Sequence, residues 1–210
     1  MILARLFALG NRIKWAYYRL RTRCLYGPFL RSLGRGSSIR RPVLITHPEH
    51  IDIGDRVLVR ENGRLQVIVT PGRPAPMLRI GSGTNIEQNV HIVCHHRVLI
   101  GANVSITANC AIVDVTHPFE QLPPGAKIGA EIADDDAFVE IGDGAFIGIG
   151  TVILPNVRIG AGAVIGANSV VTQSVPDFCC AAGAPARVLR QYRATGAAGK
   201  PVAAEDPPRV

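Results

Sequence analysis

Aromatic residues make up only 5% of the sequence, so its core must be built from small aliphatic side chains rather than large rings. The five cysteines, Cys24, Cys94, Cys110, Cys179 and Cys180, include no CxxC pair. That argues against a zinc finger or a disulfide framework and fits a reducing cytoplasm. Cys94 and Cys110 fall inside repeats and read as core filler. Long apolar runs are also missing: the longest uncharged stretch, residues 159–176, is full of Gly, Ala, Asn, Ser and Gln and makes a poor transmembrane helix. Arg5 interrupts the opening "MILARLFALGNRIKW" and no small-residue cleavage site follows, so no secretory signal is expected.

Acidic residues are absent from the first 35 positions, which carry eight Lys and Arg (Arg5, Arg12, Lys14, Arg19, Arg21, Arg23, Arg31 and Arg35) of a chain with net charge +7. Leu6, Leu9, Ile13, Tyr17, Leu20 and Cys24 recur there every three or four residues. This predicts an amphipathic helix, ended by Gly27 and Pro28. Two readings stand: the helix lies on an anionic membrane surface, or it packs on its own domain or a neighbouring subunit. No DNA- or RNA-binding motif accompanies the basic residues, so no nucleic-acid partner is expected.

What the sequence has in quantity is glycine, 22 residues, and aliphatics within a hydrophobic fraction of 47%. At 210 residues this makes one globular domain. From residue 53 the aliphatics fall on every sixth position. "IGSGTN", "IEQNVH" and "IVCHHR" cover 80–97, "IGANVS", "ITANCA" and "IVDVTH" cover 100–117, and six hexads led by Ile141, Ile147, Ile153, Ile159, Ile165 and Val171 run without a break to Pro176. A short fixed period marks a solenoid, each unit covering the apolar face of the one before. One hexad per flat side closes a triangular turn in three. The expected fold is therefore all-β, a prism-shaped parallel β-helix, interrupted by an irregular segment at 118–140.

In order, these residues resemble the hexapeptide-repeat acyltransferases. "THPF" at 116–119, then "VEIGDGAFIG", "VRIGAGAVIGANSVVTQSVP" and "AAGAPARVLR" are similar to the galactoside, maltose and polysaccharide O-acetyltransferase branch. The resemblance implies a left-handed β-helix and a homotrimer with active sites between subunits, using acetyl-CoA as cosubstrate. The resemblance covers roughly residues 50–192, and with the N-terminal spacing and the Gly-, Ala- and Pro-rich end the chain is expected to divide into a basic helical segment at 1–40, the β-helix at 41–185 with its loop at 118–140, and a short C-terminal helix with a disordered tail at 186–210. The implied activity is acetyl transfer to a sugar hydroxyl in surface polysaccharide assembly, the saccharide acceptor lipid- or nucleotide-linked. The cysteines point to the cytoplasm, and the charge of residues 1–35 alone suggests peripheral contact at the inner face of the membrane as one of the two readings of the helix.

The same resemblance assigns roles. His117 matches the catalytic histidine, as general base. Glu87 stands where relatives hold Asn or Asp near the acceptor, and Asp114 or a loop acid (Glu131, Asp134, Asp135, Asp136 or Glu140) orients the imidazole or meets the acceptor. Phe146, Ile149, Ala167 and Thr172 match positions along the pantetheine arm. Arg187 and Arg190 match basic residues near the CoA phosphates, and Gln173 replaces a usual cation. The alternatives are an N-acetyltransferase of a nucleotide-linked amino sugar, a γ-type carbonic anhydrase, or a scaffold without activity. Serine acetyltransferases need a longer helical N-terminal domain than 40 residues supply. His91, His95 and His96 cluster, but the positions of the anhydrases' close histidine pair fall near Ala108 and Val113, so no metal is expected.

Overall fold

The computed structural model describes residues 2–192 apart from 121, 123, 124 and 134. Helix α1 (Ile2–Arg21) opens the chain and continues through a π-helical turn at Thr22–Tyr26. Every further long element is a strand, gathered in three sheets that the chain visits in turn. The first face stacks Ser32–Leu33, Ile51–Ile53, Met77–Ile80, Arg97–Ile100, Phe138–Ile141 and Val157–Ile159. The second stacks Ser38–Ile39, Leu58–Val59, Asn85–Ile86, Ser105–Ile106, Phe146–Ile147 and Val164–Ile165, then Cys179–Gly183. The third stacks Leu44–Thr46, Arg64–Val67, His91–Cys94, Ala111–Val113, Val152–Ile153 and Val170–Val171. All these pairings are parallel and successive strands on each face belong to successive coils, so the chain forms a triangular parallel coil.

Register explains the sixfold period. Ile53, Ile80, Ile100, Ile141 and Ile159 stand in one ladder on the first face, and Ile39, Val59, Ile86, Ile106, Ile147 and Ile165 in one on the second. Leu65, Ile92, Ile112, Ile153 and Val171 do the same on the third. All are buried in a single core. Each such side chain contributes about 1.5–3 kcal/mol by leaving water, and aliphatic neighbours of similar size above and below are what keep the period in phase. The corners need tight left-handed turns, supplied by Asn89, Asn109, Asn156 and Asn168 at φ 55 to 62°, a region that Asn tolerates better than most residues.

The coil begins at Ser32 rather than near 41, because Leu33, Ile39 and Ile45 already keep the sixfold spacing and stack on Ile53, Val59 and Leu65. The C-terminal helix is corrected: Ala186–Gln191 is a strand, antiparallel to Cys179–Gly183. The last parallel strand leaves a row of unpaired backbone groups, and a returning strand satisfies them where a helix would not. The tail expected at 195–210 lies outside the described residues. No helix among the described residues is long and apolar enough to cross a membrane.

Candidate functional site

The irregular segment leaves the coil after Ala111–Val113, at the corner where the third face meets the first, and it carries His117. The His117 ring is exposed, and its Nδ1 lies 2.6 Å from the main-chain oxygen of Glu131 across the loop. A carbonyl oxygen only accepts, so Nδ1 holds the proton and Nε2 keeps a free lone pair. The loop is tied down nearby. The Ala133 amide donates to the Thr116 carbonyl at 2.9 Å, and Thr116 Oγ1 donates to Asp135 Oδ2 at 3.1 Å. Arg73, from the insertion after the strand Arg64–Val67, donates to the Asp135 carbonyl at 2.8 Å and to Asp136 Oδ1 at 3.1 Å. Neither Arg73 nor the Glu131 oxygen was singled out from sequence. A main-chain oxygen has no residue-type signature, and Arg73 stands alone in "PGRPAP", outside any repeat.

Asp114 has other employment than touching an acceptor or the imidazole. It is buried, and its carboxylate accepts the amides of His95 at 2.6 Å, His96 at 2.9 Å and Arg97 at 2.7 Å. It braces the corner of the coil below. Of the loop acids, Asp135 and Asp136 face Arg73, Glu140 faces Arg97 at 3.2 Å, and Glu131 uses its backbone; Asp134 lies outside the described residues.

Three histidines flank this corner without converging. His95 is buried, its Nε2 3.0 Å from Thr70 Oγ1, and burial with the nearby Arg73 cation lowers its pKa. His96 Nδ1 is 3.1 Å from the Ala137 carbonyl. His91 points outward on the third face beside Arg64, and its pKa is lowered by burial and then by that arginine. Among the described residues no three His, Cys, Asp or Glu side chains form a metal-binding group.

The remaining candidates gather on the second face and its corner with the third. Glu87 follows Asn85–Ile86 and pairs with Arg60 Nε at 2.7 Å. Ile149 and Ala167 are neighbours in successive coils: the Asn168 amide donates to the Ile149 carbonyl at 2.7 Å. A Cβ on Gly148 would lie 2.6 Å from the Ala167 nitrogen, so only glycine allows that approach. Phe146 is 43% exposed and heads an outward row, Phe146, Val164, Cys180, Arg190, in pairing register along the coil axis. The row spans three strand spacings, roughly 14 Å. Arg187 is exposed at the far end beside it. Thr172 stands apart, just past Val170–Val171 at the corner that His117 leaves two coils earlier. Within one chain, then, Glu87 precedes the third-face strand His91–Cys94 and His117 follows the third-face strand of the next coil, Ala111–Val113, so the two stand toward opposite edges of that face.

Residues 138–173 match the family described as bacterial transferase hexapeptide (six repeats). The galactoside O-acetyltransferase of Escherichia coli is 31% identical over 170 residues, 75% of this chain and 77% of that one. A candidate lipopolysaccharide biosynthesis O-acetyl transferase of Escherichia coli, WbbJ, is 29% identical over 158 residues, 73% of this chain and 78% of that one. Other curated relatives are matched over about half their length, 43% and 53% in two cases. Among solved structures, an N-acyltransferase from Bacillus cereus in complex with dTDP and 3-hydroxybutyryl-CoA superimposes with TM-score 0.62 at 22% identity, over 77% of this chain and 82% of that one.

Proposed function

We propose that this chain, which belongs to the hexapeptide-repeat acyltransferase family, transfers the acetyl group of acetyl-CoA to a hydroxyl of a sugar. The observation that carries the reading is the His117 Nδ1 to Glu131 oxygen contact at 2.6 Å, which turns Nε2 outward as a base. In the reaction Nε2 takes the proton of the acceptor hydroxyl as its oxygen attacks the thioester carbonyl carbon. When the tetrahedral species collapses, the C–S bond breaks and Nε2–H returns the proton to the leaving thiolate. An imidazole can both accept and return a proton, which suits both steps, and no covalent enzyme intermediate is needed.

The outward row from Phe146 to Arg190 suits the elongated cosubstrate. Pantetheine would run along Phe146, Ile149 and Ala167, and the phosphates would reach Arg187 and Arg190, whose planar guanidinium groups bind phosphate oxygens in pairs. Since Glu87 and His117 lie toward opposite edges of one face, a site using both draws them from two chains, which favours a homotrimer with the coil left-handed as in the family. Thr172, on the His117 side, then meets the cosubstrate from the second chain. Asp114 has no part in acceptor binding in this reading; it holds the corner beneath the loop.

For the acceptor, the name of WbbJ, with its lipopolysaccharide biosynthesis, supports a saccharide of surface polysaccharide assembly and that of the galactoside O-acetyltransferase a sugar hydroxyl; we take the saccharide to be lipid- or nucleotide-linked. A peripheral position at the inner face of the membrane, through residues 1–35, brings such an acceptor within reach. The test is turnover of acetyl-CoA against a panel of free sugars, nucleotide sugars and lipid-linked saccharides, with the acetylated atom located by mass spectrometry. An O-acetylated saccharide is the expected product. An N-acetylated amino sugar would move the reading to the amine acceptor, and no acceptor-dependent CoA release would remove it.

A further inference from the structure

Helix α1 is attached to the coil by one side only. Tyr18 is buried, and Thr22 Oγ1 donates to the Tyr18 carbonyl at 2.7 Å and accepts the Ile39 amide at 2.8 Å. The buried Arg40 guanidinium lies over Trp15 at 4.2 Å and over Tyr18 at 5.1 Å. Trp15, Tyr18 and Thr22 are spaced three and four residues apart and so share the side facing the domain.

The opposite side is apolar and uncovered. Leu9, Ile13, Tyr17 and Leu20 are 51%, 61%, 58% and 64% exposed, and Phe7 is 74% exposed. At 100° per residue Leu9, Ile13, Tyr17 and Leu20 form one stripe pointing away from the coil, edged by Arg12 and Arg19 on one side and Lys14 and Arg21 on the other, while Phe7 falls outside it beyond Lys14. At the foot of the helix Arg19, Arg23, Arg31 and Arg35 line a cleft of about 720 Å³ that Leu20 also borders. Among the described residues only Arg31 of these four has its guanidinium near a carboxylate, Asp52 at 3.8 Å; Arg35 meets Asp55 Oδ1 through its main-chain amide at 2.6 Å. No acidic residue occurs before Glu49, so covering the stripe with the same helix of a second copy would set arginine against arginine.

We propose that α1 and the arginine-lined cleft dock this protein on an anionic phospholipid bilayer, the stripe in the acyl boundary and headgroup phosphates in the cleft. An apolar stripe flanked by cations matches the interface between acyl chains and anionic headgroups. Guanidinium groups without carboxylate partners are free to pair with phosphate. The docking holds the open first coil and the cleft toward the membrane. It deepens the peripheral placement above and rests on that placement, not on acetyl transfer: vesicle binding without turnover would keep the docking and remove the transferase.

The experiment is flotation of the full-length protein with vesicles of phosphatidylcholine alone and with phosphatidylglycerol replacing part of it. Binding is expected to the anionic vesicles only and to fall with added salt. The variant Ile13→Asp/Tyr17→Asp should bind them at least about tenfold more weakly, and Arg19→Glu/Arg23→Glu should lose the preference for anionic lipid. Light scattering and thermal melts on each variant show whether assembly and fold are kept. Equal binding to both vesicle types, undiminished binding of the stripe variant, or a stripe variant that instead falls to a smaller oligomer would overturn the proposal, the last because another copy covers the stripe.

Discussion

His117 Nδ1 and the main-chain oxygen of Glu131 lie 2.6 Å apart, so the loop backbone fixes the histidine's tautomer, and among the described residues no carboxylate does. The oxygen is in place because Arg73 holds the same loop at Asp135 and Asp136.

Replacing Arg73 with Ala should therefore loosen the base without removing it. The expected result is a fall in kcat of about 10- to 100-fold with KM for acetyl-CoA little changed. Arg73→Lys should recover part of it. Steady-state kinetics on the two variants check this, and a change confined to KM would place Arg73 with cosubstrate binding instead.

Asp114 is expected to matter for stability. Its buried carboxylate accepts three amides, so Asp114→Ala leaves those donors unpaired and should cost about 3 kcal/mol or more. In a chain of this size that lowers Tm by roughly 6–12 °C, measurable by calorimetry.

The thiols should divide sharply by burial. Cys24 is exposed, whereas Cys94 and Cys110 are buried and their pKa values are raised, first by burial and for Cys94 next by Asp114. The Cys179 thiol is buried and raised in the same way. A higher pKa means less thiolate at pH 8. Titration with a disulfide reagent should label Cys24 quickly, and Cys94, Cys110 and Cys179 only after unfolding.

Acid should weaken the fold through His95. Its folded pKa lies below the ordinary 6.5, from burial and the Arg73 cation, so below that value the unfolded chain binds a proton the folded chain resists. The His95 contribution is fully present above about pH 6.5 and is lost as pH falls through the lower folded value. His91 adds to the same trend. Tm should decline on going from pH 7.5 to 5.5, and His95→Asn should flatten that decline even if it lowers Tm at neutral pH.

The coil was legible because aliphatic neighbours of similar size enforce the period: every hexad leader named from the sequence is an inward residue of a ladder. The first coil was overlooked although Leu33, Ile39 and Ile45 keep the sixfold spacing, because only one turn of three hexads precedes the two-residue insertion before Ile53 and the arginines and prolines between them mask it. The final strand was missed for another reason, the exposed Arg, Val and Leu of "ARVLRQ" being ambiguous until the open edge beside Cys179–Gly183 is known. At the site, His117 is visible in "THPF", but the oxygen that orients it is backbone. Asp114 could have been read correctly: it lies two residues after the inward Ile112, and alternate strand positions share a face.

The most direct test of the account is the rate of thiol release from acetyl-CoA, with a responsive saccharide acceptor, by wild-type protein and His117→Ala. The account predicts a fall of about 10²- to 10⁴-fold with acetyl-CoA affinity and Tm unchanged. A variant that turns over at the wild-type rate would contradict it, and the base would have to be sought elsewhere on the coil.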